Sequence, residues 1–271
     1  MHPTNRPLLS RFFKSAPRLG LIALVSAGSF LAAGCATAPA TTHYAVAEDF
    51  ESGQLDPAIW TTRTTGTATV AVTQDKVAHG KYALKVVYPA HAARSMAFIS
   101  AKLPAALHDH VFGRAYVYCS SIPPAHGVLL NTGTAGFPKS DFLEIGTYKN
   151  TQFQPSFQEQ NPPAGQRGGE QVAFEGEIPI GRWFCMEWEF TDLPTDKIVI
   201  WVDGKKTVDQ SFVYHEVGSG LVKGFAEVNI GFRTFTQPTD IPNDIDIYFD
   251  DIAISDQPIG QLTPVPAPAA K

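Results

Sequence analysis

Nearly every periodic segment of this 271-residue chain alternates apolar and polar residues with a period of two. The pattern runs through Ala68-Thr-Val-Ala-Val-Thr73, Ala83-Leu-Lys-Val-Val-Tyr88, Ile198-Val-Ile-Trp-Val-Asp203 and Asp246-Ile-Tyr-Phe-Asp-Asp-Ile-Ala-Ile254. Successive side chains of a strand point to opposite faces, so this alternation predicts half-buried strands. The segments are rich in β-branched and aromatic residues and are bounded by Gly, Pro, Asn and Asp, which favour turns. Asp203-Gly204 predicts a tight hairpin. No segment sustains a 3.6-residue period beyond two turns, and Pro104-Ala-Ala-Leu-His108 predicts only a short helical turn. Many short strands with almost no helix predict an all-β chain, a sandwich or jelly roll in one domain.

The first 34 residues do not share this pattern. Arg6, Arg11, Lys14 and Arg18 occur there with no acidic residue, followed by an apolar run from Leu19 to Ala33. A basic start, a short apolar stretch and small residues before a cut define a secretory signal. The run is about fifteen residues, short of the roughly twenty that span a bilayer. Leu31-Ala-Ala-Gly-Cys35 resembles the lipobox of bacterial lipoproteins, whose cysteine is lipidated and becomes the mature N-terminus. The competing reading is an ordinary cleaved signal with an incidental cysteine. The expected organisation is a signal at 1–34, lipidated Cys35 with a flexible linker to residue 46, a folded domain at 47–261, and a Pro/Ala-rich tail at 262–271. Ala36 is not the Asp that retains lipoproteins at the inner membrane, so the expected location is a bacterial cell envelope, at the outer membrane.

Charge narrows the partners. The chain has 21 basic and 26 acidic residues, and four of the basic ones lie in the signal, leaving 17 against 26 and a formal charge of −9. That balance argues against nucleic acid and anionic lipid surfaces, both of which reward positive charge. With Cys35 assigned to lipid, Cys119 and Cys185 remain. Both sit in strand-like segments of an exported chain, where a disulfide between them and two buried free thiols are both open readings.

Glu48-Asp-Phe-Glu-Ser-Gly53, Val77-Ala-His-Gly-Lys-Tyr-Ala-Leu-Lys-Val86 and Tyr248-Phe-Asp-Asp-Ile-Ala-Ile-Ser255 together resemble the calcium-binding framework of jelly-roll carbohydrate-binding modules and related lyases. That resemblance implies a structural Ca2+ held by the side chains of Glu51 and Asp250 with carbonyls near His79 and Lys81. Hard oxygen donors of this kind suit calcium. The competing reading is that Glu51 and Asp250 are ordinary strand-end carboxylates.

A longer ordered set carries a family resemblance. It comprises Gly113-Arg-Ala-Tyr-Val-Tyr118, Pro123-Pro-Ala-His-Gly127, Phe142-Leu-Glu-Ile-Gly146, Gly181-Arg-Trp-Phe-Cys-Met-Glu-Trp-Glu-Phe190, Ile200-Trp-Val-Asp-Gly204, Asn229-Ile-Gly-Phe-Arg233 and Phe249-Asp-Asp-Ile-Ala-Ile-Ser255. Taken together, these segments resemble the secreted β-jelly-roll family of the fungal cellulose-induced protein, with bacterial lipoprotein members and glucuronan lyases as relatives. The resemblance implies a concanavalin-like jelly-roll sandwich that receives a polysaccharide. In the lyase relatives a uronate is cleaved by β-elimination: a cation or amide masks the carboxylate, a base removes the C5 proton, and an acid protonates the leaving oxygen.

Mapped onto this chain, the resemblance implies Arg114 as neutraliser, His126 as base, and Tyr116 and Tyr148 as acids. Arg233, Gln158 and Tyr118 are implied as further substrate contacts. Arg114 has a plainer role open to it, pairing with Glu187 or Glu189, and His126 is also readable as an uninvolved loop residue. Phe235 and Phe157 stand where relatives carry tyrosine, and a phenyl ring transfers no proton. Glu187-Trp-Glu189 and Glu144 invite a glycosidase reading, but no Glu-x-Asp-x-x-Glu strand signature accompanies them. The functional expectation is a surface-anchored, lyase-like protein acting on a uronate-containing glycan. A non-catalytic glycan-binding lipoprotein is the alternative, and a purely structural envelope protein the third reading.

Overall fold

In the computed structural model the residues described are 44–160, 169–171, 175–192, 195–212 and 224–262. The signal, Cys35 and nearly all of the tail lie outside them. Among the described residues, sixteen strands and two single 3-10 turns make up the regular structure. In chain order the strands begin with β1 (Val46–Glu48), β2 (Trp60–Thr65), β3 (Thr69–Thr73), β4 (Ala83–Tyr88), β5 (Met96–Lys102) and β6 (His110–Cys119). Next come β7 (Gly127–Gly133), β8 (Phe142–Tyr148), β9 (Gln152–Gln158), β10 (Gly169–Gln171) and β11 (Glu175–Glu177). The last are β12 (Trp183–Thr191), β13 (Lys197–Val202), β14 (Lys205–Ser211), β15 (Glu227–Thr234) and β16 (Ile245–Ser255).

They form two antiparallel sheets. The first runs β14-β13-β12-β6-β16-β4-β3, with β1 also pairing β16; the second runs β10-β9-β8-β7-β15-β5-β2, with β11 also pairing β9. The all-β jelly-roll sandwich expected from the alternation is what the chain forms. The short helical turn is present at Ala105–Leu107. Asp203 and Gly204 close the β13–β14 hairpin with φ of 50° and 76°, as its turn requires. Among the described residues no helix is long and apolar enough to cross a membrane.

Period-two alternation decides which side chains fill the space between the sheets. From β12, Phe184, Met186, Trp188 and Phe190 point inward; from β15, Val228, Ile230 and Phe232 do. Each fully buried large apolar side chain contributes roughly 1.5–3 kcal/mol. Gly113 on β6 is fixed by this packing, because a Cβ there would lie 2.0 Å from the Trp188 indole. A second, smaller apolar cluster of Met96, Phe98, Val128, Phe137 and Phe142 lies on the outer face of the second sheet. Phe137, from the β7–β8 connection, covers that cluster.

The disulfide reading is corrected. Cys119 and Cys185 are both free and buried. They occupy neighbouring strands, but Cys119 packs into the core, whereas Cys185 alternates with the inward Phe184 and Met186 and so points outward. Two cysteines on opposite faces of one sheet cannot bring their Cβ atoms together. Burial alone raises the Cys119 thiol. Burial, with the charge of Glu187 second, pushes the Cys185 thiol up to about 12, so both are poor nucleophiles.

Candidate functional site

The outer face of the second sheet carries an unusual row of buried polar side chains. On β15 the residues alternating with the core are Glu227, Asn229, Gly231 and Arg233; on β8 they are Phe142, Glu144, Gly146 and Tyr148. Glu144 is wholly buried. Its Oε1 accepts from His126 Nε2 at 2.9 Å and from Ser156 Oγ at 2.5 Å, and its Oε2 accepts from Arg233 Nη2 at 3.2 Å. His126 Nδ1 lies 2.8 Å from Gln154 Oε1, within hydrogen-bond distance. A carboxylate at one ring nitrogen and an amide oxygen at the other both favour the doubly protonated ring. A side chain at Gly146 would bring its Cβ within 2.9 Å of His126 Cε1, so the bare glycine is what lets the ring lie over β8.

These contacts set the protonation states. Burial alone would raise Glu144, but the hydrogen bond and charge of His126, the charge of Arg233 and the Ser156 hydroxyl bring it down to about 2. Burial would likewise lower His126, and the hydrogen bond and charge of Glu144 outweigh it and raise the imidazole above its ordinary value. One carboxylate thus faces two cations.

Phe235 completes this end of the face. Its ring stacks on His126 at 5.5 Å and 16°, and the Arg233 guanidinium lies 4.9 Å from its centroid. It is also 52 % exposed, one of the few large apolar side chains left open to solvent. Arg233 packs against Phe137 and Phe142 as well, at 5.0 and 5.4 Å, and its Nε has no acceptor among the described residues. The middle of the same face is clamped instead. Arg63 donates to Ser100 Oγ, Phe137 O and Glu227 Oε2, and Glu227 Oε1 accepts from Phe137 N. Those bonds hold Phe137 down over the sheet and leave the His126–Phe235 end as the open part.

The structure divides the residues singled out in the sequence between the two sheets. His126 and Arg233 come together, with Tyr148 farther along β8 and Gln158 at the end of β9 on the same outer face. Arg114, Tyr116 and Tyr118 lie on the outer face of β6, in the other sheet, with the core between them and His126. Arg114 is buried, donating to the carbonyls of Asp251 and Gly260, and it lies opposite Glu187 in the strand register. Tyr116 meets His79 edge-on at 4.6 Å, and Tyr118 packs with Trp183 and Tyr248. Arg114 therefore cannot mask the carboxylate of a sugar whose proton faces His126. Phe157 points into the core, so a tyrosine there would not reach the site. Glu144, Gln154 and Ser156 are the partners that sequence reading did not join to His126. The only signal for them was their shared parity on adjacent strands.

Glu51 and Asp250 do converge on the turn that His79 and Lys81 occupy, but through N–H groups. Glu51 Oε1 accepts from Lys81 N and Tyr82 N at 2.8 and 3.0 Å; Asp250 Oδ2 accepts from Ala78 N and His79 N at 2.9 and 3.1 Å. Asp250 Oδ1 accepts from Asp251 N. Burial pushes Asp250 up to about 6 despite these bonds. Among the described residues no three His, Cys, Asp or Glu side chains gather as a metal-ligating group. As arranged, Glu51 Oε1 and both Asp250 carboxylate oxygens accept from backbone amides of this turn and of Asp251.

The two sheets define a jelly-roll sandwich. No protein-family model matches the chain, and no curated protein does. Solved structures do. The chain is similar to an endo-β-1,4-glucuronan lyase from the fungus Trichoderma reesei, with 16% identity over 79% of this chain and 96% of that one and a TM-score of 0.59. The cellulose induced protein Cip1 matches at 19% identity over 80% and 99%, with a TM-score of 0.56. A PL-14 alginate lyase from Aplysia kurodai matches at 14% identity over 72% and 90%, with a TM-score of 0.52. The resemblance read from the ordered motifs holds at the level of fold.

The linked protonation of Glu144 and His126 has a measurable consequence. Glu144 lies below its ordinary 4.5, so its contribution to stability is present above that pH and is lost as pH falls toward 2. His126 lies above its ordinary 6.5, so its contribution is complete below 6.5 and is lost as pH rises through its folded value. The pair stabilises the fold most between pH 4.5 and 6.5. Glu144→Gln leaves buried cations unpaired and is expected to cost about 3–5 kcal/mol in that window. Denaturant melts across pH check this: wild type loses stability on both sides of the window, and the variant gives a flatter profile.

Proposed function

We propose that the open end of the second sheet's outer face binds a uronate-containing polysaccharide, and that in this arrangement it holds the polymer rather than cutting it. The observation that carries the reading is Phe235, an exposed ring stacked on the His126 ring and beside a guanidinium. A sugar ring stacks on such a face, and its carboxylate finds Arg233, which has hydrogen-bonding capacity beyond Glu144. The fold shared with a glucuronan lyase and an alginate lyase supports this choice of ligand. Catalysis by His126 faces a specific obstacle. Both of its ring nitrogens already have hydrogen-bond partners, and Phe235 stacks on one ring face, so the imidazole must give up a partner before it can act as a base.

Elimination is kept as a second reading because one observation favours it: a histidine oriented by a buried carboxylate stands next to a guanidinium, with Tyr148 on the same strand face. A panel of polyuronates, followed both by calorimetry and by ultraviolet absorbance of unsaturated products, separates the two. Binding without product, weakened about tenfold or more by Phe235→Ala, supports the holding role; that factor is about 1.4 kcal/mol. Product formation lost in His126→Ala supports elimination. Neither binding nor product with any polyuronate overturns both.

Two further proposals concern the chain ends. We propose that Cys35 is lipidated and tethers the domain to a bacterial envelope membrane; the support is the lipobox-like Ala-Ala-Gly-Cys and the basic, then apolar, stretch before it. Expressed in a bacterial host, the wild type is expected to incorporate labelled palmitate and to sediment with outer membranes, and Cys35→Ala to do neither. A structural calcium at the 78–82 turn requires Glu51 and Asp250 to trade amide partners for the cation. Exhaustive chelation that lowers the melting temperature, restored by added Ca2+, supports it; an unchanged melting curve removes it.

A further inference from the structure

The first sheet carries a pocket that the uronate reading does not use. Its floor is the outer face of that sheet, where Phe112 of β6, Glu187 and Glu189 of β12 and Trp201 of β13 lie on adjacent strands. The segment after β16 crosses this face and closes one side with Pro258, Ile259 and Gly260. The volume of this half-open pocket is about 450 Å³, within the roughly 300–1,000 Å³ typical of small-ligand sites.

The segment that closes the pocket is tied to the sheet. Arg114 Nη1 donates to Gly260 O at 3.3 Å, and the Glu187 carboxylate is hydrogen-bonded by the Gly260 backbone. Glu189 Oε1 bonds His110 Nε2 at 2.8 Å, which fixes the second carboxylate. Phe112 and Trp201 are only partly buried, so ring surface remains for a ligand.

We propose that this pocket is a second carbohydrate site, one that takes a neutral, hydroxyl-rich sugar unit. Two aromatic side chains supply apolar surface against which the C–H face of a pyranose packs. Two fixed carboxylates supply acceptors for its hydroxyl groups, and hydrogen bonds to an ionised acceptor are the strong ones. Charge excludes the ligand proposed for the other sheet. Arg114, which binds the closing segment, is buried and spent on backbone carbonyls, Lys206, opposite Trp201 on β14, is paired with Asp209, and Glu187 and Glu189 repel a uronate. The same pair, read in the sequence as an invitation to glycoside hydrolysis, here serves recognition. The two faces of the sandwich then read different polymers, one acidic and one neutral.

Calorimetric titration of the intact domain with neutral hexasaccharides of glucose, mannose and xylose tests this. Binding of at least one is expected, with affinity lowered tenfold or more in both Trp201→Ala and Glu187→Gln, and with Phe235→Ala leaving it unchanged. Glu187→Gln keeps the shape of the side chain, so it remains informative if Trp201→Ala fails to fold. No binding by any of the three sugars, or binding indifferent to both pocket variants, overturns the proposal. Because the Phe235 variant probes only the other face, failure of the uronate reading leaves this outcome legible.

Discussion

A single buried carboxylate organises the outer face of the second sheet. Glu144 has no exposure, and a charge so placed is tolerated only when its oxygens are filled by donors. His126, Ser156 and Arg233 fill them. The demand propagates outward. Holding His126 against Glu144 requires a bare Gly146 beneath the ring and Gln154 at its second nitrogen. Holding Arg233 there brings its guanidinium among Phe137, Phe142 and Phe235. The exposed ring on which a sugar is proposed to stack is therefore seated on cations that Glu144 positions.

The sandwich itself imposes the second constraint. Stacked sheets pack about 10 Å apart, with interdigitated side chains between them. Arg114 and His126 stand on opposite outer faces, so no sugar ring meets both. A reaction needing carboxylate masking and proton removal at adjacent carbons must use groups from one face. On the His126 face the available cation is Arg233, already shared with Glu144. On the Arg114 face the nearest histidine, His79, is engaged with the Asp251 carboxylate. Among the described residues neither face assembles the full set implied by the family resemblance. The two proposed recognition surfaces, of different charge, need no such set.

Much of the architecture was legible in the chain because alternation records burial directly. The segments at 69–73, 83–88, 198–202 and 246–254 are strands, and Asp203-Gly204 turns where its residue types require. Sequence order did not reveal which strands become neighbours. The family resemblance put Arg114 and His126 in one site, yet β6 and β7 belong to different sheets. Glu144 was noticed only as a carboxylate available for hydrolysis, since its meaning comes from Ser156 and Gln154 on β9 and Arg233 on β15. The cysteines failed as a pair for a related reason. Adjacent strands placed them close, but their register turned one inward and the other outward.

The central claim is that Glu144 holds His126 as a doubly donating imidazolium, which makes the face a holding surface. Nitrogen-15 NMR of the histidine side chains at neutral pH tests this most directly. The account predicts that both ring nitrogens of His126 resonate as protonated, and that the signal shifts to that of a neutral tautomer in Glu144→Gln. A neutral His126 in the wild type, with one nitrogen unprotonated and free to accept a proton, would contradict it and return the residue to the role of base.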